Sequence, residues 1–216
     1  MFTKIKICCI SSWDEARLSI DYGASALGLV SRMPSGPGVI SDQLIHDIAS
    51  KIPPPIASFL LTSELFAGAI ITHHLRTQTN VIQLVDELSS GSNKELRDAL
   101  PAIRFVQVIH VLGEESIEIA LKYSEYADAL LLDSGNPTLR TKELGGTGRV
   151  HNWNISRKIV DQCRIPVFLA GGLDASNAKA ALDSVNPWGL DVCSGVRTDG
   201  KLDPQKLEAF FRAAGY

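Results

Sequence analysis

Four apolar runs of strand-like composition end in residues that can do chemistry. The runs cover residues 5–8, 129–133, 167–172 and 190–195. The first ends in the thiol of Cys8, the second in the carboxyl group of Asp133, and the other two in glycine-containing turns. Because the carboxyl ends of parallel strands meet on one face of an α/β fold, these groups are expected to share one opening. The pattern indicates proton transfer beside an anion that backbone amides hold.

Composition and charge narrow the class of protein. The chain has 216 residues, of which 45% are hydrophobic, and this is enough to bury one large core in a single domain, residues 1–216. A formal charge of −3 and a pI near 5.9 give no basic field for nucleic acid or an anionic membrane, so we expect a small-molecule partner. No apolar run reaches the roughly 20 residues that span a bilayer, and the start lacks the apolar stretch of a signal peptide. We therefore expect a cytoplasmic protein that binds neither nucleic acid nor membrane.

Cysteine and histidine spacings give no sign of a metal or a disulfide framework. Cys8, Cys9, Cys163 and Cys193 contain no CxxC pair, and adjacent Cys8 and Cys9 are poorly placed to bond to each other. The five histidines have no partner at i, i+4 spacing. We expect reduced thiols and no metal site.

Short apolar runs alternate with segments of helical period along the whole chain, which is typical of βα units. Eight strands are predicted, each followed by a helix, at residues 4–9, 24–31, 56–61, 80–85, 104–110, 129–133, 166–170 and 189–193. Eight such units in about 200 residues predict a (β/α)8 TIM barrel, with a doubly wound open sheet as the alternative. The longest irregular segment, residues 134–152, follows the sixth strand and is expected to be functional.

Four motifs occur in the order and at the spacing of a known family. They are KICCI at 6–10, GGTG at 145–148 followed by HNW at 151–153, FLAGGL at 168–173 and DVCSGV at 191–196. Together they resemble the phosphoribosylanthranilate isomerases of tryptophan biosynthesis, over essentially the whole chain. The resemblance implies a TIM barrel that carries out an Amadori rearrangement of an aminoaldose 5-phosphate, without metal or organic cofactor.

The resemblance also implies roles for individual residues. Cys8 would be the general base that removes a proton from the sugar C2′, and Asp133 the general acid that protonates the ring oxygen. The expected phosphate and substrate contacts are Gly146, Gly171, Gly172, Asp191, Ser194 and Gly195. Without the resemblance, a cysteine in an apolar strand is more often a small core residue, and Gly171–Gly172 is more often a tight turn.

The sequence departs from the family pattern at four positions. Cys9 stands where glycine is usual, Val85 where histidine is usual and Arg197 where glutamate is usual, and residues 35–41 lack the arginine that usually meets the anthranilate carboxylate. One hypothesis is that Arg32 or Arg197 supplies that guanidinium instead. The alternatives are a related isomerase for a different phosphorylated aminosugar and a barrel that binds phosphosugars without turnover. A monomer and a homodimer both remain open.

Overall fold

Eight parallel strands close into a barrel in chain order, so the predicted TIM barrel is confirmed. The computed structural model describes residues 3–139, 141–145 and 148–216. The strands are β1 (Lys4–Ile7), β2 (Ala26–Val30), β3 (Ala57–Thr62), β4 (Val81–Leu84), β5 (Arg104–His110), β6 (Ala129–Asp133), β7 (Val167–Leu169) and β8 (Gly189–Val192). The barrel closes where β1 pairs with β8, with Ile7 opposite Val192.

A helix follows each strand and packs on the outside of the barrel. The helices are α1 (Trp13–Asp21), α2 (Asp42–Ala49), α3 (Ala67–Thr77), α4 (Ser92–Ala99), α5 (Glu115–Ser124), α6 (Trp153–Gln162), α7 (Ala178–Val185) and α8 (Pro204–Ala213). Ser12 caps α1 by accepting a hydrogen bond from the amide of Glu15, and Ser41 caps α2 in the same way. These caps supply acceptors for amides that the first helical turn leaves unpaired.

The sequence pattern predicts helices over residues 63–74 and 175–184, but α3 and α7 begin four and three residues later, because polar side chains make turns first. Before α3, the hydroxyl of Ser63 donates to the Arg32 carbonyl, and the Glu64 amide donates to the hydroxyl of Thr62. Before α7, the amide of Asp174 donates to Oδ1 of Asn177, and the amide of Ser176 donates to Oδ1 of Asp174. Such local hydrogen bonds compete with helix formation.

A small hairpin after β8 was not predicted. Its strands are β9 (Arg197–Thr198) and β10 (Lys201–Leu202), and they are antiparallel. The turn between them is Asp199–Gly200, and both residues have positive φ, 50° and 77°. An Asp-Gly pair is a common two-residue hairpin turn, but strands of two residues are too short to show a periodic pattern.

Side chains on each strand alternate between the helix layer and the barrel interior. On β1, Ile5 and Ile7 pack among the residues that join barrel and helices, while Cys8 belongs to the interior cluster. Lys6 also points inward, with its Nζ atom 5.2 Å from the centre of the Phe59 ring. The alternation therefore places Lys6 directly below Cys8 inside the barrel. Within the described residues, no helix is long and apolar enough to cross a bilayer.

Candidate active site

A cavity that is open to solvent lies at the carboxyl ends of the strands. Six of the residues predicted from the sequence line it: Cys8, Asp133, Gly171, Gly172, Asp191 and Ser194. The structure therefore brings the thiol, the carboxyl group and the glycine turns to one opening. Gly146 lies outside the described residues.

Cys8 follows the last residue of β1 and is 6% exposed. Its amide donates to the carbonyl of Val192 over 2.8 Å, which continues the β1–β8 pairing to the floor of the cavity. A hydrogen bond with the Cys9 side chain lowers the pKa of the Cys8 thiol, and the nearby Lys6 ammonium lowers it further, although burial opposes both. The shift favours a thiolate, the form that can accept a proton.

A buried ion pair lies beneath this thiol. The Nζ atom of Lys6 is 2.8 Å from Oδ1 of Asp191, and the two side chains are 0% and 9% exposed. Burial alone would lower the pKa of Lys6, but the Asp191 carboxylate outweighs it and the pKa lies above its usual range. Lys6 is therefore a permanent positive charge close to Cys8. Sequence reasoning missed this residue, although the alternation along β1 already put Lys6 and Cys8 on one face.

Asp133 ends β6 and is 6% exposed. Burial raises the pKa of its carboxyl group above the usual value, and the nearby charge of Asp191 adds to the rise, whereas His110 and the amides of Ser134 and Gly135 oppose it. The amide of Gly135 donates to Oδ2 of Asp133 over 3.3 Å. A buried carboxyl group of raised pKa can hold a proton and give it to a substrate.

The glycine turn after β7 needs glycine for both conformation and space. Gly172 has φ of 64°, and a Cβ atom added there would lie 2.6 Å from the carbonyl carbon of Arg149. The segment after β6 therefore packs directly on this turn. Gly195 lines a neighbouring cavity, together with Gly172, Ser194 and Lys206.

Comparison with known proteins identifies the family of this barrel. The family profile described as "PRAI: N-(5'phosphoribosyl)anthranilate (PRA) isomerase" matches residues 67–213. The chain is 32% identical to the N-(5'-phosphoribosyl)anthranilate isomerase of Methanocella arvoryzae over 95% of its own length and 94% of that protein's. The chain belongs to the phosphoribosylanthranilate isomerase family. By its family it is an aldose–ketose isomerase of tryptophan biosynthesis.

Solved structures of the family superpose closely. A phosphoribosylanthranilate isomerase in complex with reduced 1-(o-carboxyphenylamino)-1-deoxyribulose 5-phosphate is 26% identical, with a TM-score of 0.79 and coverage of 99% of this chain and 98% of that one. Engineered monomers of the dimeric enzyme from Thermotoga maritima are also 26% identical, with a TM-score of 0.78 and the same coverage. Both monomeric and dimeric forms therefore occur among phosphoribosylanthranilate isomerases.

Arg197 does not line the cavity, which corrects the expectation that it could meet a substrate carboxylate there. Its guanidinium is buried and pairs with Glu15, with Nη1 2.9 Å from Oε1. The same group donates to the carbonyls of Cys8 and Cys9. A guanidinium whose donors are used internally has little left for a ligand. Arg197 therefore positions the segment that carries the thiol.

Arg32 also lies outside the cavity. Its side chain is exposed, and its carbonyl accepts a hydrogen bond from Ser63. Among the described residues that line the cavity there is no arginine or lysine. The segment after β2 instead contributes Ser35, whose hydroxyl donates to the Lys142 carbonyl over 2.7 Å and so joins the segments that follow β2 and β6.

Gln83 is a second cavity residue that sequence reasoning missed. It is 3% exposed, and within the described part of the chain its Oε1 atom has no hydrogen-bond partner. A buried amide oxygen without a partner costs free energy unless a ligand satisfies it. Its position near the end of β4, on the face that points into the barrel, was the sequence signal that could have identified it as a cavity residue. In the described ranges, no group of three or more histidine, cysteine and acidic residues could hold a metal ion.

Proposed function

We propose that this protein converts N-(5-phosphoribosyl)anthranilate into its 1-deoxyribulose 5-phosphate isomer, with Cys8 as general base and Asp133 as general acid. The observation that carries the proposal is that both groups line one cavity with pKa shifts of opposite sign. The shift at Cys8 favours the deprotonated thiol, and the shift at Asp133 favours the protonated acid. The reaction needs these two forms at the same time.

Each group has one step in this proposal. Asp133 gives its proton to the ribose ring oxygen as the C1′–O bond breaks, and the anilino nitrogen supplies the electrons that form a C1′=N bond. The Cys8 thiolate then removes the proton from C2′, which neutralises the nitrogen and gives an enolamine. The enolamine becomes the aminoketose when the 2′-hydroxyl loses its proton and C1′ gains one. No net oxidation occurs, so apart from the opening of the ring the proposed chemistry consists of proton transfers.

The phosphate is proposed to lie at the glycine turns. Gly171, Gly172, Ser194 and Gly195 follow β7 and β8, where TIM barrels commonly bind phosphate through backbone amides. Gly171 and Gly172 have positive φ, 82° and 64°, and the absence of side chains allows close approach to an anion. The hydroxyl of Ser194 and the ammonium of Lys206 border the same region. Asp191 is proposed to contact the sugar rather than the phosphate, because two anions repel each other.

A second candidate function is the isomerisation of a related phosphorylated aminosugar with a different aglycone. The observation that favours it is the absence of arginine and lysine among the described residues lining the cavity. An aromatic carboxylate without a cationic partner binds less strongly. Under this alternative, Cys8, Asp133 and the phosphate site keep their roles.

Fluorescence decay of freshly prepared phosphoribosylanthranilate separates the two functions. The proposal predicts that the decay rate is proportional to the concentration of pure protein and saturates with substrate. If the substrate is not consumed while a phosphorylated sugar analogue still binds, the second function is favoured. Loss of both properties would remove the proposed site altogether.

The pH dependence of kcat/KM is expected to be bell-shaped. Activity rises with pH as Cys8 loses its proton and falls as Asp133 loses its own. The carboxylate of Asp191 raises the pKa of both groups. Asp191→Asn should therefore move both limbs of the profile to lower pH, measured at a temperature at which the variant is folded. Limbs that stay in place would contradict the electrostatic coupling.

Replacing Gln83 with methionine tests its contact with substrate. A single neutral hydrogen bond contributes about 0.5–1.5 kcal/mol, so Gln83→Met should raise KM about 2-fold to 10-fold with little change in kcat. The matched control is Gln107→Met. Gln107 is equally buried, but its amide donates to the carbonyls of Leu84, Asp86 and Val108, so this change should cost stability and leave KM unchanged. If Gln83→Met and Gln107→Met have the same KM, the contact between Gln83 and the substrate is excluded.

A further inference from the structure

Two cysteines that the proposed reaction does not use lie against each other at the mouth of the barrel. Cys9 and Cys193 follow β1 and β8, which pair in parallel with Ile7 opposite Val192. Their Sγ atoms are 2.6 Å apart, and both residues are free thiols. This separation is shorter than van der Waals contact between two sulfur atoms, so the two atoms already lie close enough for a bond to form between them.

The backbone holds Cys9 in this position. Its φ is 63°, a left-handed conformation that is strained for a residue with a side chain. The Cys9 sulfur lies 3.7 Å from the carbonyl of Pro37. A Cβ atom on Gly38 would come within 2.5 Å of Cys9 Cβ, so the segment after β2 leaves space for this thiol only because glycine is there.

Reagents can reach the pair from solvent. Both residues line the open cavity, and Cys193 is partly exposed, whereas Cys9 is 5% exposed. The exposed thiol can therefore react first with a small molecule. The buried thiol is already in place to resolve the product.

We propose that Cys9 and Cys193 form a reversible disulfide when a hydroperoxide enters the cavity. The Cys193 sulfur attacks one peroxide oxygen, the O–O bond breaks, and the departing oxygen takes a proton and leaves as an alcohol or water. Cys193 is then a sulfenic acid. The Cys9 sulfur attacks that sulfur, the S–O bond breaks, and water leaves as the S–S bond forms. In total, two thiols lose two hydrogen atoms and one hydroperoxide is reduced.

The disulfide would also control the proposed general base, and this part of the inference rests on the proposed function. Cys9 is adjacent to Cys8 and lines the same cavity, and its thiol donates to the Pro37 carbonyl and accepts from the Cys193 thiol. A disulfide removes both of these hydrogen bonds and ties the residue beside Cys8 to the segment after β8. The oxidised enzyme should therefore turn over its substrate more slowly than the reduced enzyme.

Peptide mapping after mild oxidation tests the disulfide directly. The folded protein is treated with hydrogen peroxide, its remaining thiols are alkylated, and the digest is analysed by mass spectrometry without reductant. We expect a Cys9–Cys193 cross-link, lighter than the two free peptides by two hydrogen atoms, that dithiothreitol reverses. A cross-link that includes Cys8, or sulfinic acid at Cys193 without a cross-link, would overturn the proposal.

Three variants provide controls. Cys193→Ser and Cys9→Gly each remove one partner, so neither should form the cross-link. Glycine suits the positive φ of position 9, so at least Cys9→Gly should fold. Cys163→Ser removes a thiol at the end of α6 and should oxidise as the wild type does. Activity of each protein is compared before and after oxidation. A cross-link without loss of activity would overturn the control of Cys8 while the disulfide stands.

Discussion

Cys8→Ala is expected to lower kcat by at least about 10²-fold, because general base catalysis typically contributes about 10²- to 10⁴-fold. Alanine keeps the small apolar volume at the end of β1 and removes only the sulfur. Asp133→Asn should have an effect of the same order, since the amide keeps the shape of the carboxyl group but cannot give up a proton as an acid does. In the proposed site, substrate binding depends mainly on the glycine turns, so KM should change much less than kcat.

Steady-state kinetics on folded variants measures these losses. The matched control is Cys163→Ala, which removes a half-buried thiol outside the cavity and should leave kcat unchanged. Thermal unfolding of each variant shows whether a loss of activity is only a loss of structure. Turnover at the wild-type rate in Cys8→Ala or in Asp133→Asn would remove that residue from the proposed mechanism.

The sequence was a good guide to the elements that carry these two groups. The bounds predicted for β6, residues 129–133, agree with the structure, whereas β1 was predicted over residues 4–9 and ends at Ile7. β6 is a continuous apolar run up to its last residue, and strands buried on both faces have that composition. Position at the end of such a run was sufficient to place Asp133 in the cavity, because the strands are parallel.

Lys6→Met is expected to lower the free energy of unfolding by about 3–5 kcal/mol, because it leaves the Asp191 carboxylate buried without its partner. Asp191→Asn should destabilise the protein similarly by leaving the Lys6 ammonium unpaired. The pair is almost fully buried, with side-chain exposures of 0% and 9%, so water replaces the lost contact poorly. Urea unfolding at neutral pH measures both changes.

The double variant Lys6→Met/Asp191→Asn distinguishes an unpaired charge from a simple loss of packing. With both charges removed, it should be more stable than either single variant. Lys94→Met and Asp98→Asn form the matched exposed pair, for which losses below about 1 kcal/mol are expected. Additive losses in the buried pair would show that the two charges do not stabilise each other.

Long-range pairings explain what the sequence did not show. Lys6 and Asp191 are 185 positions apart, and Arg197 is 182 positions from Glu15. Residue type alone therefore indicated that Arg197 was a free guanidinium near the opening. Only the closure of β1 against β8 shows that it is an internal partner, and no local pattern encodes that pairing.

Single-turnover rates with substrate that carries deuterium at C2′ test the division of roles between Cys8 and Asp133 most directly. In Cys8→Ser, proton removal from C2′ should limit the rate, so the deuterated substrate should react several-fold more slowly. In Asp133→Asn, ring opening should limit the rate, and the two substrates should react equally fast. A large isotope effect in Asp133→Asn with none in Cys8→Ser would contradict the assignment of base and acid.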